Sequence, residues 1–253
     1  RLVGETGGKD FVVAHASADP DVVRTALVRG AFEYSGQKCS AASRAYIARS
    51  VWEVLEDDLV ETTEARRVGD VRDLSNFTSA VIDQRAFTKH AEAIARARSS
   101  TDATIIAGGE TDDSEGWYVR PTLIISDNPR TDIFRTEYFG PILGIHVYDD
   151  TDFDAILDEV DQASPYGLTG AIIADDRWAL DRASRRLRHA AGNFYLNDKP
   201  TGAVVGQQPF GGSRASGTND KAGSMWNLIR WTSPRSIKET FIPPTKIDYP
   251  HMG

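Results

Sequence analysis

Ile142-Leu-Gly-Ile-His-Val-Tyr148, Ala171-Ile-Ile-Ala174 and Asn193-Phe-Tyr-Leu-Asn197 are three short apolar runs, and the segments between them carry helical spacing. Phe153 to Ala163 reads as one helix. Arg177 to Ala190 reads as a second, with Leu180, Ala183 and Leu187 on one side. Strands separated by helices of this length imply right-handed crossovers into a parallel sheet covered on both faces. The expected fold is therefore α/β: an open, mostly parallel sheet with helices on both faces. In such sheets ligands bind outside the carboxyl ends of the strands, and Asn197 leads straight into a long loop from Lys199 to Gly212.

Outward from this unit the alternation continues. Phe11 to His15 is a short apolar run. Asp19 to Tyr34 reads as a helix capped by Asp19, with Pro20 in first position and Val22, Val23, Ala26, Leu27, Ala31 and Tyr34 in one stripe, stopped by Gly36. A strand is expected near Ala45 to Ala48, a helix from Val51 to about Arg66, and another from Asp83 to Arg98 with Phe87, Ala91, Ile94 and Arg98 sharing a face. After Trp231 the character changes. Ser236 to Phe241 alternates polar and apolar like an exposed or partner-paired strand, and prolines at 243, 244 and 250 preclude a helix beyond it.

The 253 residues, 40% of them hydrophobic, suffice for a sizeable core. A net charge of -8 without any basic run disfavours nucleic acid or an anionic membrane as partner. One cysteine makes no internal disulfide, which suits a reducing compartment, and a cytoplasmic location is expected. The five histidines are scattered without metal-ligand spacing, so no metal is expected, and there is no G-x-S-x-G elbow or P-loop.

That cysteine, Cys39, lies in Phe32-Glu-Tyr-Ser-Gly-Gln-Lys-Cys-Ser-Ala, and Glu5-Thr-Gly-Gly-Lys9 precedes it by 34 residues. A lone cysteine is ordinarily an inert core residue and a lone glutamate a solvated charge. Cys39, however, stands on a polar, irregular segment beyond a helix end, where the Lys38 ammonium would favour thiolate. A thiol that attacks a carbonyl and a carboxylate that deprotonates water together form and hydrolyse an acyl-enzyme.

These segments resemble the nucleophile and general-base motifs of the aldehyde dehydrogenase superfamily. Thr136-Glu-Tyr-Phe-Gly-Pro141 is similar to its nicotinamide-contact segment, and Pro209-Phe-Gly-Gly-Ser-Arg-Ala-Ser-Gly217 to its substrate-side glycine loop. Ser40 after the nucleophile, the Lys199 to Gly212 loop, Ser216-Gly-Thr-Asn-Asp220 and Arg230 to Thr240 resemble one branch, which oxidises L-glutamate gamma-semialdehyde (1-pyrroline-5-carboxylate). The resemblance implies Cys39 as nucleophile and Glu5 as base, with Glu137 on the nicotinamide ribose and Phe139 beside the nicotinamide of NAD. It implies Gly202, Ala203 and the Ser40 hydroxyl as donors to the substrate carboxylate, with Phe210 packed on its methylenes. Outside the resemblance, Glu137 reads as a surface acid, Phe139 as a core aromatic and Phe210 as a loop anchor.

The same resemblance implies an organisation in three parts: residues 1–6 as the remnant of an upstream dinucleotide-binding domain carrying the base, 7–234 as the catalytic domain, and 235–253 as an oligomerisation strand and tail. No G-x-G-x-x-G follows a strand, so most of the NAD site is expected upstream of a fragment that by itself is inactive. The implied partners are a small amino-acid aldehyde and further copies of the chain, as a homodimer or larger. Two other readings stand beside this one: transfer of the acyl group to a CoA thiol, against which Glu5 argues, and a silent oligomerisation module.

Overall fold

The computed structural model describes residues 1–252. In chain order the elements are β1 (Asp10–Ala14), α1 (Pro20–Phe32), β2 (Ala42–Ala48), α2 (Arg49–Glu64), α3 (Gln84–Ser99) and β3 (Thr104–Ala107). Then come β4 (Thr111–Asp112), β5 (Tyr118–Val119), β6 (Thr122–Ile125), α4 (Asp132–Arg135) and β7 (Ile142–Tyr148). The chain continues through α5 (Phe153–Gln162), β8 (Tyr166–Gly167), β9 (Thr169–Ile173), α6 (Arg177–Arg186), β10 (Asn193–Leu196), β11 (Ser213–Arg214) and α7 (Met225–Ile229). Seven strands form one sheet in the order β10-β9-β1-β2-β7-β6-β3, parallel throughout except where β3 meets β6. This is the expected α/β architecture.

The central strands β1 and β9 are buried at every residue, because a parallel sheet clothed on both faces removes both sides of each strand from water. Crossing from β1 to β2 and from β7 to β9 moves in opposite directions across the sheet, so right-handed connections place α1 on one face and α5 on the other. Accordingly α1 packs with α2, and α5 with α6. Close packing at the centre depends on Gly170: a Cβ there would lie inside the Phe11 ring of β1. No helix among the described residues is long and apolar enough to cross a membrane.

Asp19, Asp83 and Asp176 each accept a first-turn N–H at 2.8 Å and so start α1, α3 and α6. The ends differ from expectation. Helix α1 stops at Phe32, because Tyr34 and Ser35 take left-handed backbone (φ 56 for both), and Val22 and Tyr34 of the expected stripe face solvent. Helix α6 stops at Arg186 rather than Ala190. The buried face of α3 contains His90, Ala93 and Ala97 with Phe87 and Ile94, while Arg98 is exposed. Ser236 to Phe241 is exposed and unpaired within the chain, since an edge sequence needs a partner to become a strand.

The sheet's direction sets where chemistry gathers. Residues 5–9 lead into β1, 38–41 into β2, 136–141 into β7 and 164–168 towards β9, so these segments meet at the amino ends of the parallel strands. The expectation of a site at the carboxyl ends is thereby corrected. At that opposite rim, Asn197 clamps Ala174, donating to its carbonyl at 3.1 Å and accepting its N–H at 2.9 Å. The following loop turns back: Lys199 and Pro200 lie against Gly30 of α1, and Gly211 returns its N–H to Asn193 Oδ1 at the start of β10.

Candidate active site

Segment 5–10 touches the cysteine segment, the Thr136 to Pro141 segment and the glycine loop. Glu5 bridges Gly217 in antiparallel fashion, and Thr6 N–H donates to Ser216 O at 3.1 Å, joining the base segment to the glycine loop. The Gly8 N–H donates to Glu137 Oε1 at 2.8 Å, which ties it to the third motif. Gly7 and Gly8 permit this closeness. A Cβ on Gly7 would overlap the Glu137 carboxylate, and one on Gly8 would overlap the Cys39 carbonyl oxygen.

Cys39 is half-buried. Burial first, then the charges of Glu5, Asp10 and Glu137, push its thiol up to about 11. The expected help from Lys38 is not there, and that reading is corrected: Lys38 Nζ pairs with Glu33 at 3.0 Å. Lys199 joins the same carboxylate at 2.8 Å. Although burial opposes it, hydrogen bonds from Lys199 and Lys38 hold the Glu33 carboxyl below its ordinary value. Both lysines are thus spent in fixing the nucleophile loop and the Lys199 to Gly212 loop to the end of α1.

Ser40 is buried, and its hydroxyl shares a 2.8 Å hydrogen bond with that of Thr201. This contact brings Ser40 beside Gly202, whose φ of 91 turns the loop there, and next to half-buried Ala203. Phe210 is also half-buried, exchanging main-chain hydrogen bonds with Ala222 at 2.9 and 2.8 Å. Phe139 stands apart from this group. It is 41% exposed, with φ of 60, and lines an open cleft with Tyr34, Gln37, Leu74 and Ile82, so it is no core aromatic.

Two site neighbours, His90 and Asp132, lie outside every quoted motif and hold residues within them. His90, fully buried on α3, donates Nε2–H to Tyr138 O at 2.9 Å. Burial holds its imidazole below the ordinary value and therefore neutral. The Tyr138 hydroxyl donates to Asp132 at 2.5 Å, and Lys9 Nζ lies 5.1 Å from the Tyr138 ring centre. Tyr138 is thus held on three sides, which fixes Glu137 and Phe139 on either side of it. Ser216, also fully buried, accepts Gly167 N–H at 3.1 Å. Among the described residues no group of three or more His, Cys, Asp or Glu is placed to hold a metal ion.

The profile described as the aldehyde dehydrogenase family matches residues 1–237. The chain belongs to the aldehyde dehydrogenase family. A Dictyostelium discoideum relative, delta-1-pyrroline-5-carboxylate dehydrogenase, mitochondrial, is 53% identical over all of this chain and 45% of its own length. The Homo sapiens protein of the same name is 48% identical, again over 100% of this chain and 45% of its own. A Mycobacterium tuberculosis delta-pyrroline-5-carboxylate dehydrogenase, solved bound with NAD and cobalamin, superposes with a TM-score of 0.91 at 63% identity, over 100% of this chain and 46% of that one. This aldehyde dehydrogenase chain therefore spans about half the length of the relatives it matches. The cytoplasmic location expected from the sequence is overturned by relatives whose names place them in the mitochondrion. Its physical basis was too coarse: a single unpaired cysteine calls only for a reducing environment, which more than one compartment provides.

Proposed function

We propose that the full-length protein oxidises L-glutamate gamma-semialdehyde to L-glutamate with NAD, as the second step of proline breakdown, through a thioester on Cys39. The convergence of segment 5–10 with the Cys39, Glu137 and Pro209–Gly217 segments carries this reading. The relatives' shared name supports the substrate.

The Cys39 sulfur attacks the aldehyde carbon, forming a C–S bond and an oxyanion to which the Cys39 N–H donates. Because burial foremost, and the Glu5 charge after it, holds the thiol protonated, the proton must leave as attack proceeds, and Glu5 is one acceptor near enough for its charge to be felt. NAD held by Glu137 and Phe139 would supply the hydride acceptor for this carbon, so that the carbon leaves the step as a thioester on Cys39. Glu5 then takes a proton from water, the hydroxide adds to the thioester, and the C–S bond breaks to release the acid and the thiolate. Glu137 suits a ribose diol, since the Gly8 N–H orients its carboxylate through Oε1 and leaves Oε2 for a hydroxyl. The exposed Phe139 supplies a flat apolar wall beside it.

For the amino-acid end of the substrate, the Ser40–Thr201 pair and the free N–H groups of Gly202 and Ala203 make an anion-binding turn that needs no full positive charge. Phe210 covers the methylenes. Residues 235–253 act as an arm onto a second copy, an assignment supported by exposed Ile237, Phe241, Ile242 and Tyr249.

The deciding experiment measures NADH formation by the full-length protein with glutamate semialdehyde and with an aliphatic aldehyde of equal length. A strong preference for the former is expected, with turnover abolished in Cys39→Ala. Equal rates would overturn the substrate, and residual Cys39→Ala turnover within about tenfold of wild type would overturn the nucleophile.

A further inference from the structure

Asp10 opens β1 directly beneath the Cys39 segment and is 2% exposed. Its Oδ1 accepts the Thr169 N–H of β9 at 2.6 Å, while its buried Oδ2 has no protein hydrogen-bond partner among the described residues. That orphan oxygen and the Cys39 carbonyl oxygen crowd the same point: a Cβ on Gly8 would overlap both. The Cys39 carbonyl in turn receives no main-chain N–H among the described residues. A buried carboxylate oxygen crowded against a carbonyl oxygen is repelled by it, unless a proton lies between them.

No cation resolves the conflict. Lys9 precedes Asp10 on the strand and therefore points to the other face, over Tyr138. Arg44 of β2 spends its guanidinium on Lys9 O at 2.7 Å, Val160 O at 3.0 Å and the Tyr46 hydroxyl at 3.3 Å. Among the described residues neither cation forms an ion pair with Asp10. The other titratable groups whose charge couples to this corner are Glu5, Glu137, Cys39 and Tyr195 of β10, and none of them is a cation.

We propose that Asp10 is a positioning residue for the nucleophile, a protonated acid that accepts from Thr169 through Oδ1 and donates its Oδ2 proton to the Cys39 carbonyl. It thereby locks the peptide that follows the thiol to β9. Burial, outweighing the main-chain and side-chain hydrogen bonds of Thr169 and the Arg44 charge, lifts this carboxyl to about 8, so the proton is present at neutral pH and lost above it. Once ionised, Asp10 both releases the carbonyl and adds a negative charge beside the thiol.

The proposal rests on Cys39 as nucleophile, but its test reads the thiol directly. In the full-length protein without NAD, iodoacetamide alkylation is followed by the mass of the Cys39 peptide in wild type and Asp10→Asn. The amide keeps the shape and gives a donor that never ionises. Turnover at pH 7 is expected within about twofold of wild type, with Cys39 alkylated at least about threefold faster at pH 9, because no charge builds at position 10. A loss of turnover at pH 7 of about tenfold or more would overturn the neutral-acid assignment, and so would an unchanged alkylation rate at pH 9. Turnover surviving in Cys39→Ala would instead sink the nucleophile, leaving the alkylation result to stand by itself.

Discussion

At the scale of single residues the site is a set of short polar groups held by burial. His90 shows the kind of control involved: one neutral imidazole fixes the carbonyl of Tyr138 between the two residues assigned to the cofactor. Replacing it by leucine leaves that carbonyl without its donor, at a cost of about 1–3 kcal/mol. His90→Leu is expected to raise KM for NAD about fivefold or more at nearly unchanged kcat, with His90→Gln recovering part of the loss. Steady-state kinetics across NAD concentration decide it, and an unchanged KM would make His90 a packing residue only. Ser40→Ala tests the opposite wall: KM for the amino-acid aldehyde should rise while that for an aliphatic aldehyde stays constant. Cys39, Glu5, Glu137 and Phe139 were legible because they stand in contiguous motifs. His90, Asp10 and Thr201 were not, because what marks them is a buried orphan atom or a contact across more than forty residues of chain.

At the scale of elements, periodicity and capping residues locate five strands of the parallel core, β1, β2, β7, β9 and β10, and their covering helices, whereas parallel β6 at Thr122–Ile125 is not signalled and tertiary context trims the ends. The apolar spacing predicts α1 through Tyr34, two residues beyond its end, yet the chain needs left-handed turns at Tyr34 and Ser35 to deliver Cys39 to β2. The stripe on α3 was misjudged because a buried histidine counts as polar in any pattern. The tight β1–β9 contact makes a sharp prediction. Gly170→Ala forces a methyl into the Phe11 ring, an overpacking cost of about 1–3 kcal/mol or more, seen as a lower urea midpoint at unchanged slope. A midpoint equal to wild type would mean that Phe11 swings aside freely.

At the scale of the whole molecule, Ile237, Phe241, Ile242 and Tyr249 beyond Trp231 are exposed, which is what the proposed arm would bury. Removing residues 235–253 from the full-length protein is expected to dissociate it, as read by sedimentation velocity, and an unchanged sedimentation coefficient would place the subunit contact elsewhere. The direction of the sheet was not legible in the sequence, because alternating strands and helices fix parallelism without saying which rim carries the chemistry. Here the Glu5, Cys39 and Glu137 segments each enter a strand, and the loop after β10 turns back to join them. The far rim, where Asp149 to Asp152 caps the end of β7, is free of them and lies about 20 Å away, one strand's length. A fluorophore, affinity handle or grafted domain inserted between the exposed Asp150 and Thr151 would therefore report on the enzyme without entering its chemistry, whereas the same insertion on the near rim would cut through the site itself.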